Sequence, residues 1–252
     1  MKRCSILAAV ALYAALAPAQ DRKILVYTRN YTPDGTGYVH DNIPASVAAI
    51  RKMAAANRFA ADVSDDPNAF TAANLKQYRA LVFANSNNQA FANDAQRGAF
   101  RAFIRGGGGF VGIHSASGSE RDWDYYQQVL GAKFKRHPVL QPFTVQVVDP
   151  KFPAVKGLPA SFPWEDECYY VEKLRPDVHV LLATDPRKIV DPEFAGDPGD
   201  LIHGMRPLAW YQRFDGGREF YLALGHKKED YENPILIRLI LGGIKWAMGA
   251  RP

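Results

Sequence analysis

The chain has 252 residues, of which 47% are hydrophobic, 23% charged and 12% aromatic. This composition excludes a disordered or fibrous protein and fits a globular fold that can bury a large core. The formal charge of +5 raises the question of nucleic acid binding. Because the basic residues are dispersed and form no long run, the charge is typical of a solvated surface, and we expect no nucleic acid partner.

The first residues predict a secretory signal peptide. Lys2 and Arg3 precede an apolar run over 6–16, and Ala17-Pro18-Ala19 follows it as an A-x-A cleavage site. A basic start, a short apolar stretch and small residues at the cleavage point are the three parts of such a leader, and the run is too short for a membrane helix. We therefore expect residues 1–19 to be removed and the protein to be exported, either to the periplasm or out of the cell.

The remaining residues, 20–252, are expected to form one domain. Cys168 is its single cysteine, so we expect no internal disulfide although the protein is exported. No later segment reaches the length of an apolar membrane span, so the mature chain is expected to have none.

The first half alternates strands with helices. Short apolar runs predict strands, whereas Pro44, Thr71 and Asn93 mark helix starts. Glycines 106–109 stop the third helix before the fourth strand and do not form a phosphate-binding loop, so no nucleotide cofactor is expected. The pattern predicts a doubly wound, flavodoxin-like, mostly parallel sheet with helices on both faces. The predicted strands are 23–28, 60–63, 80–84 and 110–113.

The second half predicts an antiparallel extension of the sheet. Residues 141–148 alternate apolar and polar side chains, and an Asp-Gly-Gly turn at 215–217 joins two later strands. A helix beginning at Pro234 closes the chain. The stretch from Asp185 to Arg206 is long for a connector, and it is either a lid or a mobile excursion. The later predicted strands are 178–183, 208–214 and 218–224.

Three histidines follow predicted strands or lie in the loops behind them. His40 lies in the loop after the first strand, His114 ends the fourth strand, and His226 ends the last one. Ligands bind at the carboxyl ends of strands in sheets of this kind, so the three imidazoles are expected to converge there. His114 lies among small residues, as at a nucleophile elbow, but imidazole acts as a general acid or base or as a metal ligand and is rarely a covalent nucleophile. A buried histidine bonded to a loop carbonyl is the alternative.

A second group of candidates lies in the acidic and aromatic segment around Glu167. Asp166 and Glu167 are either a solvated turn or a pair in which one carboxylate enters the cleft. Trp164 and Tyr169 can stack on sugar rings or fill the core. His203 and Arg206 end the long loop and are interpreted as a lid residue and a clamp for anions or hydroxyl groups, with ordinary surface roles as the alternative. His137 and His179 are interpreted as structural.

Four segments together resemble the trehalose-utilisation (ThuA-like) family. They are the run GGGFVGIHSA at 107–116, HPVLQPFTV at 137–145, W-x-D-E-x-Y at 164–169 and G-R-x-F-Y-x-x-L-G-H at 217–226. The resemblance covers the whole mature chain and implies a fold similar to that of class I glutamine amidotransferases. Those enzymes have a cysteine at the elbow where this chain has His114, so glutaminase activity is excluded.

The resemblance implies a role in carbohydrate processing, with keto-disaccharides as the substrates. Its matching positions are His40, His114, Asp166, Glu167 and His226. The first functional hypothesis is an enzyme that isomerises or cleaves a keto-sugar with His114 as base, Glu167 as its partner or acid, and His226 and His40 as polarising groups. The second is a carbohydrate-binding protein without catalysis.

A divalent metal is the one cofactor that the sequence leaves open. His40, His114 and His226 are its candidate ligands, because imidazoles with a carboxylate suit zinc or a similar ion. The expected partner is a small carbohydrate, and the oligomeric state is left undetermined.

Overall fold

The computed structural model describes residues 22–192 and 199–249. The expected signal peptide, residues 1–19, lies outside them. The described part contains 13 strands and five α-helices. The strands are β1 Lys23–Tyr27, β2 Asn30–Tyr31, β3 Ala60–Ser64, β4 Ala80–Ala84, β5 Asn87–Asn88, β6 Gly109–Ile113, β7 Lys133–Arg136, β8 Gln141–Val147, β9 Ser161–Asp166, β10 Tyr170–Glu172, β11 His179–Thr184, β12 Arg206–Phe214 and β13 Gly217–Leu222. The helices are α1 Ile43–Ala56, α2 Ala72–Leu75, α3 Asp94–Arg105, α4 Asp124–Leu130 and α5 Pro234–Ala247.

Nine of these strands form one central sheet in the order β3-β1-β4-β6-β13-β12-β11-β8-β9. The first five run parallel, and the last four continue the sheet as an antiparallel extension. The predicted flavodoxin-like sheet with an antiparallel extension is therefore confirmed. Two small ribbons, β7 with β10 and β2 with β5, lie apart from the central sheet.

Helices cover both faces of the sheet because the parallel strands are apolar on both sides. In β1, Ile24 and Val26 face the core under α1 and α5, whereas Leu25 and Tyr27 face the core under α2, α3 and α4. The predicted helix starts hold: Asn93 accepts a hydrogen bond from the backbone N–H of Gln96, and Thr71 accepts one from Asn74. No helix of the described residues is long and apolar enough to span a membrane.

The structure adds elements that the sequence pattern did not predict. Strand β9 buries every second residue, including Trp164 and Asp166, so this acidic segment is a strand and not a solvated turn. The two strands of the β7–β10 ribbon are only four and three residues long, too short for a clear alternation. The ribbon matters for the site, because it joins the segment after Glu167 to the segment before His137.

Candidate functional site

Four side chains with metal-ligating atoms meet at the carboxyl ends of the parallel strands. One ligand atom from each of His40, His114, Glu167 and His226 lies within 4.8 Å of the others. These four residues are called the histidine cluster below. Glu167 Oε2 lies 3.1 Å from His226 Nδ1 and 3.6 Å from His114 Nε2. Residues far apart in the sequence thus come together where the fold predicts a ligand.

Backbone geometry at the end of β6 turns His114 into the cluster. Its φ of 50° lies in the left-handed region, which a β-carbon makes unfavourable. The Tyr221 hydroxyl donates to the His114 carbonyl at 2.8 Å and so helps to hold the turn. A 3₁₀-helix, His114–Gly118, follows directly. The sharp turn predicted from the small residues around His114 is present.

Hydrogen bonding fixes the tautomer of His114, which is fully buried. Its Nδ1 lies 2.7 Å from the carbonyl oxygen of Ala223. Because a carbonyl only accepts, Nδ1 carries the proton of the neutral ring. The lone pair of Nε2 therefore faces the cluster, where the hydroxyl of Tyr169 lies 3.0 Å away. The bond to a loop carbonyl, considered above as a structural alternative, is thus present in a ring that also faces the other candidate ligands.

His40 is buried without a hydrogen-bond partner on either ring nitrogen among the described residues. Its ring packs edge-on against His114 and His226, with centroids 4.8 and 5.4 Å away. Burial, followed by the nearby His114 and His226 rings, lowers the pKa of His40 to about 3. The imidazole is therefore neutral at physiological pH, and its lone pair is not taken by a proton.

Glu167 is the negative charge of the cluster. Burial raises the pKa of this carboxyl, but its contacts with the His114, His226 and His137 rings outweigh burial and hold the pKa well below its usual range. The hydrogen bond to Glu167 in turn raises the pKa of His226. The carboxylate is thus ionised and faces imidazoles on more than one side.

The loop that carries His226 is held from both sides by buried polar groups. Asp166 Oδ2 accepts a hydrogen bond from the Gly225 N–H at 2.7 Å, and Asn42 Nδ2 donates to the carbonyls of Gly225 and His226, each at 2.7 Å. The hydroxyl of Tyr231 donates to the Gly225 carbonyl at 3.0 Å. Gly225 has a φ of 114°, and a β-carbon there would lie 3.0 Å from that hydroxyl, so glycine is required.

A cavity of about 370 Å³ opens over the cluster. It is in the size range of small-molecule sites and mixes aromatic with polar groups. Tyr169, for which sugar stacking and core filling were the two alternatives, lies in its wall. The lining residues are Tyr38, His40, Asn87, Ser115, Gly118, Arg121, Phe134, His137, Glu167, Tyr169 and His226.

Four of the residues predicted to bind substrate do not line this cavity. Asp166 and Trp164 lie behind it, where Trp164 Nε1 donates to Asp166 at 3.0 Å. His203 lies in a turn closed by the Ile202–Met205 bridge, and its side chain is exposed. Arg206 is buried with its guanidinium 3.3 Å from the ring centroid of Tyr170. The question of a lid over Asp185–Arg206 falls partly on 193–198, outside the described residues.

His137 lies at the cavity, although the sequence suggested only a structural role. Its Nδ1 is 3.6 Å from Glu167 Oε1, and its ring stacks on Tyr169. Arg121, Asn87 and Phe134 are further lining residues that sequence reasoning missed. His137 heads one of the family-like segments, so a signal was present. Arg121, Asn87 and Phe134 have no such sequence signal, because polar and aromatic residues of this kind are common at any surface. Two further residues considered in the sequence analysis do not line the cavity. Cys168 is a free, buried cysteine, and the ring of His179 stacks on Tyr211.

Fold and site together define a flavodoxin-like α/β protein with a histidine–carboxylate cluster at its strand ends. The trehalose-utilisation (ThuA) family profile matches residues 23–247. The chain belongs to this family, which relates it to carbohydrate utilisation.

Solved structures agree with this fold. The chain is 24% identical to a ThuA-like protein from Bacteroides uniformis, with a TM-score of 0.70 and coverage of 95% of each chain. It is 18% identical to a ThuA-like protein from Parabacteroides merdae, with a TM-score of 0.69 and coverage of 93% of this chain and 91% of that one. A β-galactosidase from Bacillus circulans is 13% identical, with a TM-score of 0.52, over 92% of this chain and 32% of the enzyme. No curated protein matches the chain in sequence.

Proposed function

We propose that the protein is an enzyme that binds a divalent transition-metal ion at the histidine cluster and isomerises or cleaves a keto-sugar in the cavity above it. The observation that carries the proposal is the pair of unpartnered ring nitrogens of His40. Buried polar groups without a partner are rare and costly, and a metal ion would satisfy the one that carries the lone pair.

The donor set supports a transition metal over calcium or magnesium. Three imidazoles and one carboxylate suit zinc and its neighbours, whereas calcium and magnesium prefer oxygen ligands. The bond from His114 Nδ1 to the Ala223 carbonyl orients that ring as metal-binding histidines are usually oriented. Ligands at about 2.1 Å from one ion lie roughly 3.4 Å apart in a tetrahedral site, so the cluster needs side-chain shifts of about 1 Å to close on it.

This arrangement favours His114 as a ligand over His114 as the base. Its single available lone pair, on Nε2, faces Glu167 in the interior, and its side chain has no exposed surface. A bound ion supplies a positive charge that polarises the carbonyl of a keto-sugar. Tyr169 and Phe134 provide aromatic surface for a sugar ring, and Arg121 and Asn87 provide hydrogen bonds to hydroxyl groups.

The substrate class is supported by the family and by the polar, aromatic lining of the cavity. A keto-sugar suits the cluster, because the proton on the carbon next to a carbonyl becomes acidic when that carbonyl is polarised. A carbohydrate-binding protein without catalysis would use the same cavity, and the experiment below separates the two.

Metal removal tests the proposal. We expect the purified protein to convert a 3-keto-disaccharide. Dialysis against a chelator should lower its turnover at least about 100-fold, and one equivalent of zinc, cobalt or manganese should restore the turnover. Elemental analysis and chromatographic product detection measure both effects. Binding of the sugar without any conversion would contradict the enzyme and support the binding protein, and turnover unaffected by complete metal removal would contradict the metal.

A further inference from the structure

We propose that His137 is the proton-transferring residue of the cavity. In this role it removes the proton from the carbon next to the keto-sugar carbonyl and later returns it. This inference rests on the proposed function, and it replaces His114 as the base. It is carried by the position of His137 relative to Glu167, Tyr169 and the cavity.

The β7–β10 ribbon places His137 beside the cluster. Arg136 at the end of β7 pairs with Tyr170 at the start of β10. His137, which follows β7, therefore lies beside Tyr169, which precedes β10. The rings of His137 and Tyr169 stack with centroids 5.4 Å apart and an interplanar angle of 18°. The fold thus fixes the plane of the His137 ring at the cavity wall.

The protonation state of the neutral ring suits a base. Its Nδ1 lies 2.9 Å from the carbonyl oxygen of Pro138, which only accepts, so Nδ1 carries the proton and Nε2 has the lone pair. No residue in the described ranges forms a hydrogen bond to that Nε2. The His137 side chain is 36% exposed, whereas that of His114 is 0% exposed, so a substrate in the cavity can reach His137.

Glu167 connects this histidine with the cluster. Its Oε2 faces His226 and His114, and its Oε1 lies 3.6 Å from His137 Nδ1. Glu167 therefore lies between the candidate metal ligands and His137. One carboxylate therefore serves the metal on one side and the base on the other.

The proton balance is complete within the cavity. Nε2 of His137 takes the proton from the carbon, and the electron pair of the broken C–H bond moves to make the carbonyl oxygen negative. In isomerisation, the hydroxyl proton of the deprotonated carbon passes to that oxygen, and the imidazolium returns its proton to the former carbonyl carbon. In cleavage, the negative oxygen re-forms the carbonyl, and a carbon–carbon double bond forms between the deprotonated carbon and the neighbouring carbon that carries the glycosidic oxygen. The bond from that carbon to the glycosidic oxygen breaks, and the oxygen leaves with the imidazolium proton.

Substitution of His137 tests this assignment. We expect His137→Ala to keep the metal content of the wild type and to lower kcat by about 10²–10⁴-fold with little change in KM. Exchange of the substrate proton with heavy water, followed by NMR, should fall in parallel. Imidazole added to the buffer should restore part of the turnover of His137→Ala, and it should restore none in His137→Phe, whose ring fills the space.

The control is His179→Ala, which removes a histidine that stacks on Tyr211 and does not line the cavity. Wild-type turnover and proton exchange in His137→Ala would overturn the inference and leave the proposed function intact. Metal loss in His137→Ala as large as in His40→Ala would also overturn it, because His137 would then hold the cluster together. A wild-type protein that takes up no metal would overturn the proposed function and this inference with it.

Discussion

Single residues divide the site into groups that face the cavity and groups that hold them. The W-x-D-E-x-Y segment shows the division most clearly. Glu167 faces the cavity, whereas Asp166 is fully buried behind it and accepts hydrogen bonds from the backbone N–H groups of Glu167 and Gly225 and from the Trp164 indole. Adjacent carboxylates therefore have separate roles: one is a candidate ligand, and the other positions the His226 loop.

Asp166→Asn tests this positioning role. Both oxygens of Asp166 accept hydrogen bonds, so either orientation of the asparagine amide places its N–H₂ group against a backbone or indole donor. Because that donor would lose its acceptor, we expect the free energy of unfolding to fall by about 1–3 kcal/mol. Because the His226 loop loses an anchor, metal affinity should fall about 10–100-fold. Urea unfolding and competition with a metal-sensitive dye measure the two effects.

Glu165→Gln is the matched control for Asp166→Asn. It makes the same chemical change on the same strand, at a side chain that is 50% exposed, and its stability should stay within about 0.5 kcal/mol of the wild type. Unchanged metal affinity in Asp166→Asn would show that the His226 loop does not depend on Asp166.

Much of the candidate site follows from residue positions in the sequence. His114 and His226 end strands that are clear apolar runs, and the strand-end rule for parallel sheets brings them together with His40. His137 could not be placed in this way. Its approach to Glu167 depends on the pairing of two very short strands, and no local pattern encodes the pairing of segments so far apart in the chain.

At the scale of elements, the junction between the parallel strands and the antiparallel extension buries an unusual acid. Glu219 in β13 is 1% exposed and lies opposite Gln212 of β12 in the ladder. Both carboxyl oxygens of Glu219 and Oε1 of Gln212 lack hydrogen-bond partners among the described residues. Burial raises the pKa of Glu219 to about 9, although the positive charges of Arg175 and Arg213 oppose the shift. The folded protein therefore keeps this acid neutral.

This buried acid predicts how stability varies with pH. In the unfolded chain Glu219 loses its proton near pH 4.3, but in the folded protein it keeps the proton until about pH 9. Between these two pH values the folded protein binds one proton more than the unfolded chain at this group. The contribution of Glu219 to the free energy of unfolding therefore falls as pH rises, by about 1.4 kcal/mol per pH unit.

Glu219→Gln removes the titration, so the stability of the variant relative to the wild type should improve from pH 5 to pH 8. Unfolding in urea at both values measures the change, with the exposed Glu229→Gln as control. A difference between Glu219→Gln and wild type that stays constant from pH 5 to pH 8 would show that Glu219 is not protonated in the fold.

Prediction from sequence succeeded best for long elements with strong local signals. The parallel strands, the caps of α2 and α3 and the start of α5 agree with the structure to within about two residues. Strand β9 and helix α4 were missed. In β9 the run of acids masks the alternating burial of Phe162, Trp164 and Asp166, which only the opposite strand β8 reveals.

For the whole molecule, the sheet topology explains why the site lies where it does. Strands β1, β6 and β13 run parallel, so their carboxyl ends deliver His40, His114 and His226 to one edge. The antiparallel extension brings Glu167 to the same edge from the end of β9. The parallel half alone would supply only the imidazoles, and the extension supplies the negative charge of the histidine cluster.

Cobalt(II) titration of the metal-free protein tests the metal site most directly. Cobalt substitutes for zinc at imidazole and carboxylate sites, and its visible spectrum reports the ligand geometry. We expect saturation at one equivalent, with visible absorption of a four- or five-coordinate ion. His40→Ala should abolish this absorption or weaken binding at least about 100-fold, and His179→Ala should match the wild type. The absence of saturable uptake by the wild type, or an identical titration of His40→Ala, would contradict the histidine cluster as a metal site.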